Sequence, residues 1–517
     1  MCSTPAAGTE SAYPTSSTYS ARGWSLGYKV MVSLGAIACF LVVTLATSIY
    51  IASIPGIMAE FNVGRTLAIL PVTLYALGFA VGPMCTSALS EEFGRQYVYK
   101  VSLLLHFAFT LGGGFAQNYQ TVAVCRALSG VAGSPSVGVF AGVLNDLWAM
   151  PGDRLGVPLF VLYGLGGAAA PEIGPVIGEA VVAVHGWRSS FWLTAILVGM
   201  CFLGMVFVPE TYEPEILRKQ LQFHRRNPRQ ALGEAFWRPI QLILSEPIVL
   251  PTAMIVTMSQ IVIFILYAGF PVVLGRTYRF SPYQVGLSFL PFLIGTMLAA
   301  PVLIMVDKRK RRLDRPVPED NLPGAMLAAI LLPISLLWWV TVGTSSSRPM
   351  LMKDLQAGVD HSLFDSLGLP SSCGRPLRAG VCPVSSKLYL FHAGFVAADE
   401  DDVLQLAYPL YKNEVYGAKL GASTLAVDVA MRYLFSSVFP LFTDSLIDGI
   451  GFEWTMTACA IFFILLAPVP WLLQKFGAAL RDRSQYARQV STETQRGQQP
   501  KKDRDGWSDP STPQAPV

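Results

Sequence analysis

Two carboxylates, Glu172 and Glu179, stand seven residues apart in an otherwise apolar stretch, LGVPLFVLYGLGGAAAPEIGPVIGEAVVAV, from Leu155 to Val184. A helix would place them on one face, about 10 Å apart along its axis. A charge at mid-membrane costs about 3 kcal/mol or more, so such acids face a bundle interior or an aqueous cavity. There a carboxylate can exchange a proton or receive a cationic solute. For Glu179 the alternative is a place at the outer interface, reaching water. Pro171 and Pro175 remove backbone donors and bend a helix, and the Gly174–Gly178 spacing lets a neighbouring backbone come close. Arg126, in a second apolar run, needs a partner or water; its simpler role is to brace helix ends.

The elements that carry these groups are membrane helices. The chain has 517 residues, of which 52% are hydrophobic and 14% charged, against about 25% charged in a soluble domain. Its mean hydropathy is +0.46. The apolar runs are long, which predicts an all-α polytopic membrane protein. The net charge of +4 is small, and the basic runs lie between spans, where they set orientation. No nucleic-acid motif, metal-ligand spacing, phosphate-binding loop or nucleophile–base set is legible, so the sequence predicts no enzyme, no cofactor and no nucleic-acid partner. The expected partners are the lipid bilayer, a small-molecule substrate and protons. Five of the eight cysteines lie in apolar runs. Cys373 and Cys382 share a loop and can pair if it is extracellular.

Residues 1–28 read as a disordered cytoplasmic tail. Six spans follow in 29–208, at about 30–54, 66–88, 97–117, 121–145, 155–184 and 189–208. A basic linker, 209–248, returns the chain to the cytoplasmic side. The second half, 249–477, shows spans at about 249–273, 283–306 and 322–343, then apolar runs at about 421–447 and 453–474. Residues 478–517 read as a disordered cytoplasmic tail. That is eleven clear spans, and a cytoplasmic basic C-terminus needs an even number. The missing span falls in the anomalous segment 344–403, whose apolar core, Leu388–Ala398, is too short to cross unaided. Either neighbours force in a poor helix, or an intron or frameshift has been read as coding sequence. Asp428 and Arg432, four apart, can pair on one helix face. His106 reads as a packing residue. Tyr50, Tyr267, Phe270 and Trp338 are candidate cavity aromatics.

At Gly82–Arg95 the string GPMCTSALSEEFGR carries an acid three residues before a Gly-basic pair. Gly94 suits a tight turn, with Glu91 and Arg95 able to pair or to cap helix ends. With CRALSGVAGSPSVGVFAGVLNDLW (Cys125–Trp148), APEIGPVIGE (Ala170–Glu179), HGWRSSFW (His185–Trp192) and PETYEPEILR (Pro209–Arg218), the chain resembles the major facilitator superfamily, in its fungal drug:proton antiporter branch of multidrug and polyamine transporters. The resemblance covers about 29–343 and 404–480. Glu91 stands where the superfamily more usually has Asp, the S-E-x-x-G-R form being that of the fungal branch, and Glu179 stands where the antiporter motif of span 5 ends in Gly.

The resemblance implies a bundle of two six-helix halves, with the tenth span poorly formed here, that exports amphipathic or cationic organic compounds in exchange for protons by alternating access. It places Glu172, Arg126 and Glu179 on the proton and solute path. Gly174, Pro175 and Gly178 become the hinge and packing motif. Gly82, Glu91, Gly94, Arg95 and Asp146 become the cytoplasmic gate. A monomer in the plasma membrane is expected, with the vacuolar membrane as the alternative. The rival functions are a facilitator-type importer or uniporter of a nutrient, and a non-transporting product of a faulty gene model.

Overall fold

The structure, a computed structural model, describes residues 21–148, 153, 155–221, 233, 237, 240–313, 317–343, 403–416 and 424–484. Within these ranges the side chains of some residues, Glu91 and Trp338 among them, lie outside the description. So do the two expected tails beyond Ala21 and Ser484, Cys373, Cys382 and the anomalous segment up to 402.

The described residues form helices and connecting turns, with no strand. In chain order they are α1 (Leu26–Ile49), a 3₁₀ turn (Tyr50–Ser53), α2 (Ile54–Phe61), α3 (Arg65–Phe93), α4 (Arg95–Gly114), α5 (Tyr119–Gly133), α6 (Pro135–Leu147), α7 (Gly156–His185), α8 (Arg188–Val206) and α9 (Glu213–Leu221). Then come α10 (Val249–Tyr278), α11 (Pro282–Leu287), α12 (Leu290–Lys310) and α13 (Pro323–Gly343). Helices over 403–416 (α14) and 424–436 (α15) lead to α16 (Phe439–Leu466) and α17 (Val469–Arg483). Eight helical segments among the described residues are long and apolar enough to cross a membrane. This is an all-α polytopic membrane protein. The expected span 3, about 97–117, is helical as α4 up to Gly114, and the start of that helix carries Arg95, Gln96 and Lys100. The last two expected spans touch at Gly451, whose φ of 84° breaks an otherwise continuous α16.

Lipid is as apolar as leucine, so these helices associate through close packing and buried polar contacts. The outward face of α8 shows what is left for lipid. Ile196, Met200, Leu203 and Phe207, spaced three to four residues apart, are all exposed. One set of helices, α1 and α3 to α8, packs mainly on itself; α10, α13 and α16 form another. Helix α7 joins the two, lying against α1 on one side and α11 and α12 on the other. Its glycines are what allow this. A Cβ on Gly174 would lie 2.9 Å from the Ile49 nitrogen, and one on Gly178 would lie 2.8 Å from the Ile49 oxygen. Both are closer than side-chain carbon tolerates, so only glycine lets α1 lie this near.

The basic linker holds more order than composition implies. Helix α9 sits beneath α3, where Arg218 pairs with Glu92 at 3.5 Å and with Glu215. The tenth span, expected to be poorly formed, falls mostly outside the described residues. From Val403 the chain is helical for 14 residues, and Val403 packs against Gly324 at the start of α13. The apolar pattern misses this helix because it contains Lys412 and Glu414.

Candidate functional site

Helix α7 is 30 residues long, about 45 Å, and Glu172 lies about 24 Å from its start, near mid-height. Glu172 is buried, and its Oε2 accepts a hydrogen bond from Thr296 Oγ1 of α12 at 2.9 Å. It borders a cavity of about 130 Å³ between the two helix sets, large enough for several waters. Phe160, Tyr163, Tyr267 and Tyr433 form part of its wall, and Gln260, Gln405, Asp428 and Arg432 supply further polar groups. Tyr267 also borders a smaller cavity of about 50 Å³ that contains Glu179 and Arg65. The two carboxylates of α7 therefore face successive chambers that share Tyr267. Half-buried Glu179 has no hydrogen bond or ion pair among the described residues.

Arg126 does not touch Glu172. Its Nη1 donates to the Ala46 carbonyl at 2.8 Å and its Nη2 to Thr47 at 3.5 Å. The guanidinium lies 4.2 Å from the Tyr75 ring centroid and 4.9 Å from that of Tyr50. Both rings are anchored, Tyr75 by its hydroxyl to Val43 O and Tyr50 by its hydroxyl to Ala68 O. An unbroken α1 would use the Ala46 and Thr47 carbonyls for Tyr50 and Ile51; instead the chain tightens into a 3₁₀ turn at Tyr50. The expected partnership of Arg126 with Glu172 is thus indirect. Both press on one short piece of α1, Arg126 at 46–47 and the Gly174 region of α7 at 48–49.

The expected Asp428–Arg432 pair is replaced. Asp428 Oδ1 accepts from Lys412 of α14, and both side chains are buried. Arg432 Nη1 donates to Gln405 Oε1 at 2.7 Å. Spacing within one helix cannot reveal a partner on the preceding one, which is why Lys412 went unread. His106 is a packing residue as expected, with Nδ1 2.8 Å from Ser129 O. Tyr50 and Phe270 are core; of the candidate aromatics with described side chains, Tyr267 is the one shared by the chambers.

At the Arg65 end, Arg65 pairs with Asp444 of α16 at 2.6 Å and donates to Ala268 O of α10 at 3.4 Å. This contact ties α3 to the other helix set. At the opposite end, Gly94 has a φ of 89° and turns α3 into α4. Arg95 pairs with Asp146 at 2.5 Å; the side chain of its expected partner Glu91 lies outside the description. Glu210 caps the start of α4, accepting from Arg95 N at 3.0 Å and from Gln96 N at 3.1 Å. Anions are favoured at a helix start for this reason. Gly82 packs on Ser134 at the α5–α6 junction. Glu210 was missed as a functional residue, although it opens the distinctive string PETYEPEILR.

A family model described as Major Facilitator Superfamily matches residues 36–352. Among curated relatives, "Efflux pump FUB11" of Gibberella moniliformis is 28% identical over 492 residues, covering 90% of this chain and 75% of the relative. "Major facilitator superfamily multidrug transporter mdrA" of Aspergillus fumigatus is 27% identical over 493 residues, 90% of this chain and 73% of the relative. "Polyamine transporter 4" of Saccharomyces cerevisiae is 26% identical over 525 residues, 92% of this chain and 73% of the relative.

Proposed function

This chain belongs to the major facilitator superfamily, a family of membrane transporters and not of enzymes, and on that premise we propose that it exports amphipathic or cationic organic compounds in exchange for protons. The observation that carries the proposal is the chamber between the helix sets, where the buried carboxylates Glu172 and Asp428 are set among aromatic walls. Such a wall accepts apolar bulk and the face of a cation. Relatives named as efflux pumps, and one as a polyamine transporter, agree with that substrate class.

In this reading residues 29–208 and 249–477 form two six-helix halves joined by the linker 209–248, and they rock about the chamber. Arg65 and Asp444 close the end expected to face outward. Arg95, Asp146 and Glu210 hold the cytoplasmic end of the first half, with Gly82, Glu91 and Gly94 in the same gate. Glu172 alternates between proton and solute, and its differential affinity for them in the two facing states couples the flows. Arg126 fixes the bend of α1 against which Gly174, Pro175 and Gly178 move. Glu179 lies on the outer part of the path. The protein acts as a monomer in the plasma membrane.

The test is uptake of tetraphenylphosphonium or spermidine into proteoliposomes with an acidic lumen. Accumulation that disappears on dissipating the pH gradient, and in Glu172→Gln, is the expected outcome. Equal fluxes with and without the gradient would sink the antiport reading and favour a uniporter.

A further inference from the structure

Outside the groups used above, the most heavily buried ion pair in the described structure joins Lys412 of α14 to Asp428 of α15. Lys412 is fully buried, and its hydrogen bond goes to Asp428 Oδ1. Asp428 Oδ2 has no hydrogen-bond partner among the described residues, and Asp428 borders the central chamber. The pair is therefore asymmetric. Its cation is sealed in protein, while its anion borders the solute chamber and keeps one buried oxygen without a hydrogen-bond partner among the described residues. The other charged groups around that chamber are Glu172 on α7 and Arg432 on α15. Glu414, on the same helix as Lys412, is engaged by Lys310 and Asn321. Glu246, packed against the end of α14, accepts from Tyr416 and Ser484. No other described acid is placed to hold Lys412.

We propose that Lys412 and Asp428 form a second exchange site, at which an organic cation entering the chamber takes Asp428 and thereby expels the proton of Lys412. This rests on the antiport reading and deepens it, since it names where a proton is displaced. A buried ammonium that loses its counter-ion is strongly disfavoured and neutralises instead. The proton passes from Lys412 Nζ along its hydrogen bond to Asp428 Oδ1 and on to chamber water. Asp428 is left anionic beside the bound cation, and Lys412 becomes a neutral amine. The site carries no net charge before the exchange, as ammonium and carboxylate, and none after it, as bound cation and carboxylate. In the return step a proton re-forms the ammonium and the cation is released.

The experiment uses the full chain in detergent and tetraphenylphosphonium, a permanent cation with no proton of its own. Cation binding and proton release into weakly buffered medium are read together. The wild type is expected to release about one proton per cation bound at this site. Lys412→Met is expected to bind the cation at least as tightly and to lose that release. Where this variant does not fold, Lys412→Met/Asp428→Asn removes both charges and is expected to bind at least tenfold more weakly and to release about one proton fewer per bound cation than the wild type. Undiminished release per bound cation in either variant overturns the exchange site while leaving antiport through Glu172 standing. A wild type that binds the cation and releases no proton overturns both.

Discussion

Two buried cations, Arg126 and Lys412, are satisfied in opposite ways. Arg126 has no acid. It is held by two main-chain carbonyls of α1 and two anchored tyrosine rings. Lys412 has only an acid, and that acid borders the chamber. The chemistry of the side chains fits the division. A guanidinium keeps its charge and spreads it over several donors, whereas an ammonium is a point charge that gives up its proton when buried alone. Arg126 is built as a fixed brace and Lys412 as an exchangeable charge. A site is thus read less from how deeply a charge is buried than from whether its partner can be taken away.

The sharpest way to break this contrast is Asp428→Asn, which strands Lys412. The expected cost is about 3–5 kcal/mol, as for other buried pairs with one partner removed, measured as thermal stability of the detergent-solubilised protein. Adding Lys412→Met should recover most of that loss, and failure to recover it would mean that the pair is not an isolated unit. Arg126→Met comes next, at about 2–3 kcal/mol, from hydrogen bonds to a charged donor. Among the described residues there is no acidic partner whose removal would rescue it. A second-site carboxylate change that did restore stability would contradict the brace.

Glu210→Ala removes the cap from α4 and is expected to cost about 1 kcal/mol. Faster amide exchange confined to the first turn of α4 would confirm it; an unchanged turn would refute the cap. The smallest stability effect belongs to Arg65→Gln, about 0–1 kcal/mol for a partly exposed pair. Its larger consequence is on conformation. Cysteines placed at that end should become more reactive to a membrane-impermeant reagent, and unaltered labelling would rule out a latch there.

Much of this arrangement was legible in the residues. Two acids and two prolines in an apolar run marked α7, and the glycine spacing allowed the close approach of a neighbouring backbone, which the structure shows to be α1. Gly94 was readable as a tight turn between a charged string and a basic start; its positive φ is the structure's addition. What could not be read was partnership between helices. Arithmetic along one helix gave Asp428 the neighbour Arg432, while its partner lies 16 residues back on another element. Glu210 reaches α4 across 115 residues, a distance that no local pattern encodes. Lys412 was hidden for a further reason. Its helix carries charges and follows a stretch without a full apolar run, so hydropathy gave no cue that it is buried.

The central claim is that solute and proton move in opposite directions through the Glu172 chamber. The most direct measurement loads proteoliposomes with tetraphenylphosphonium, imposes no pH gradient, and records internal pH as the solute runs out. The account predicts that outflow draws protons inward and acidifies the lumen, and that Glu172→Gln abolishes the acidification. Outflow with a constant internal pH, or acidification undiminished in Glu172→Gln, would contradict it.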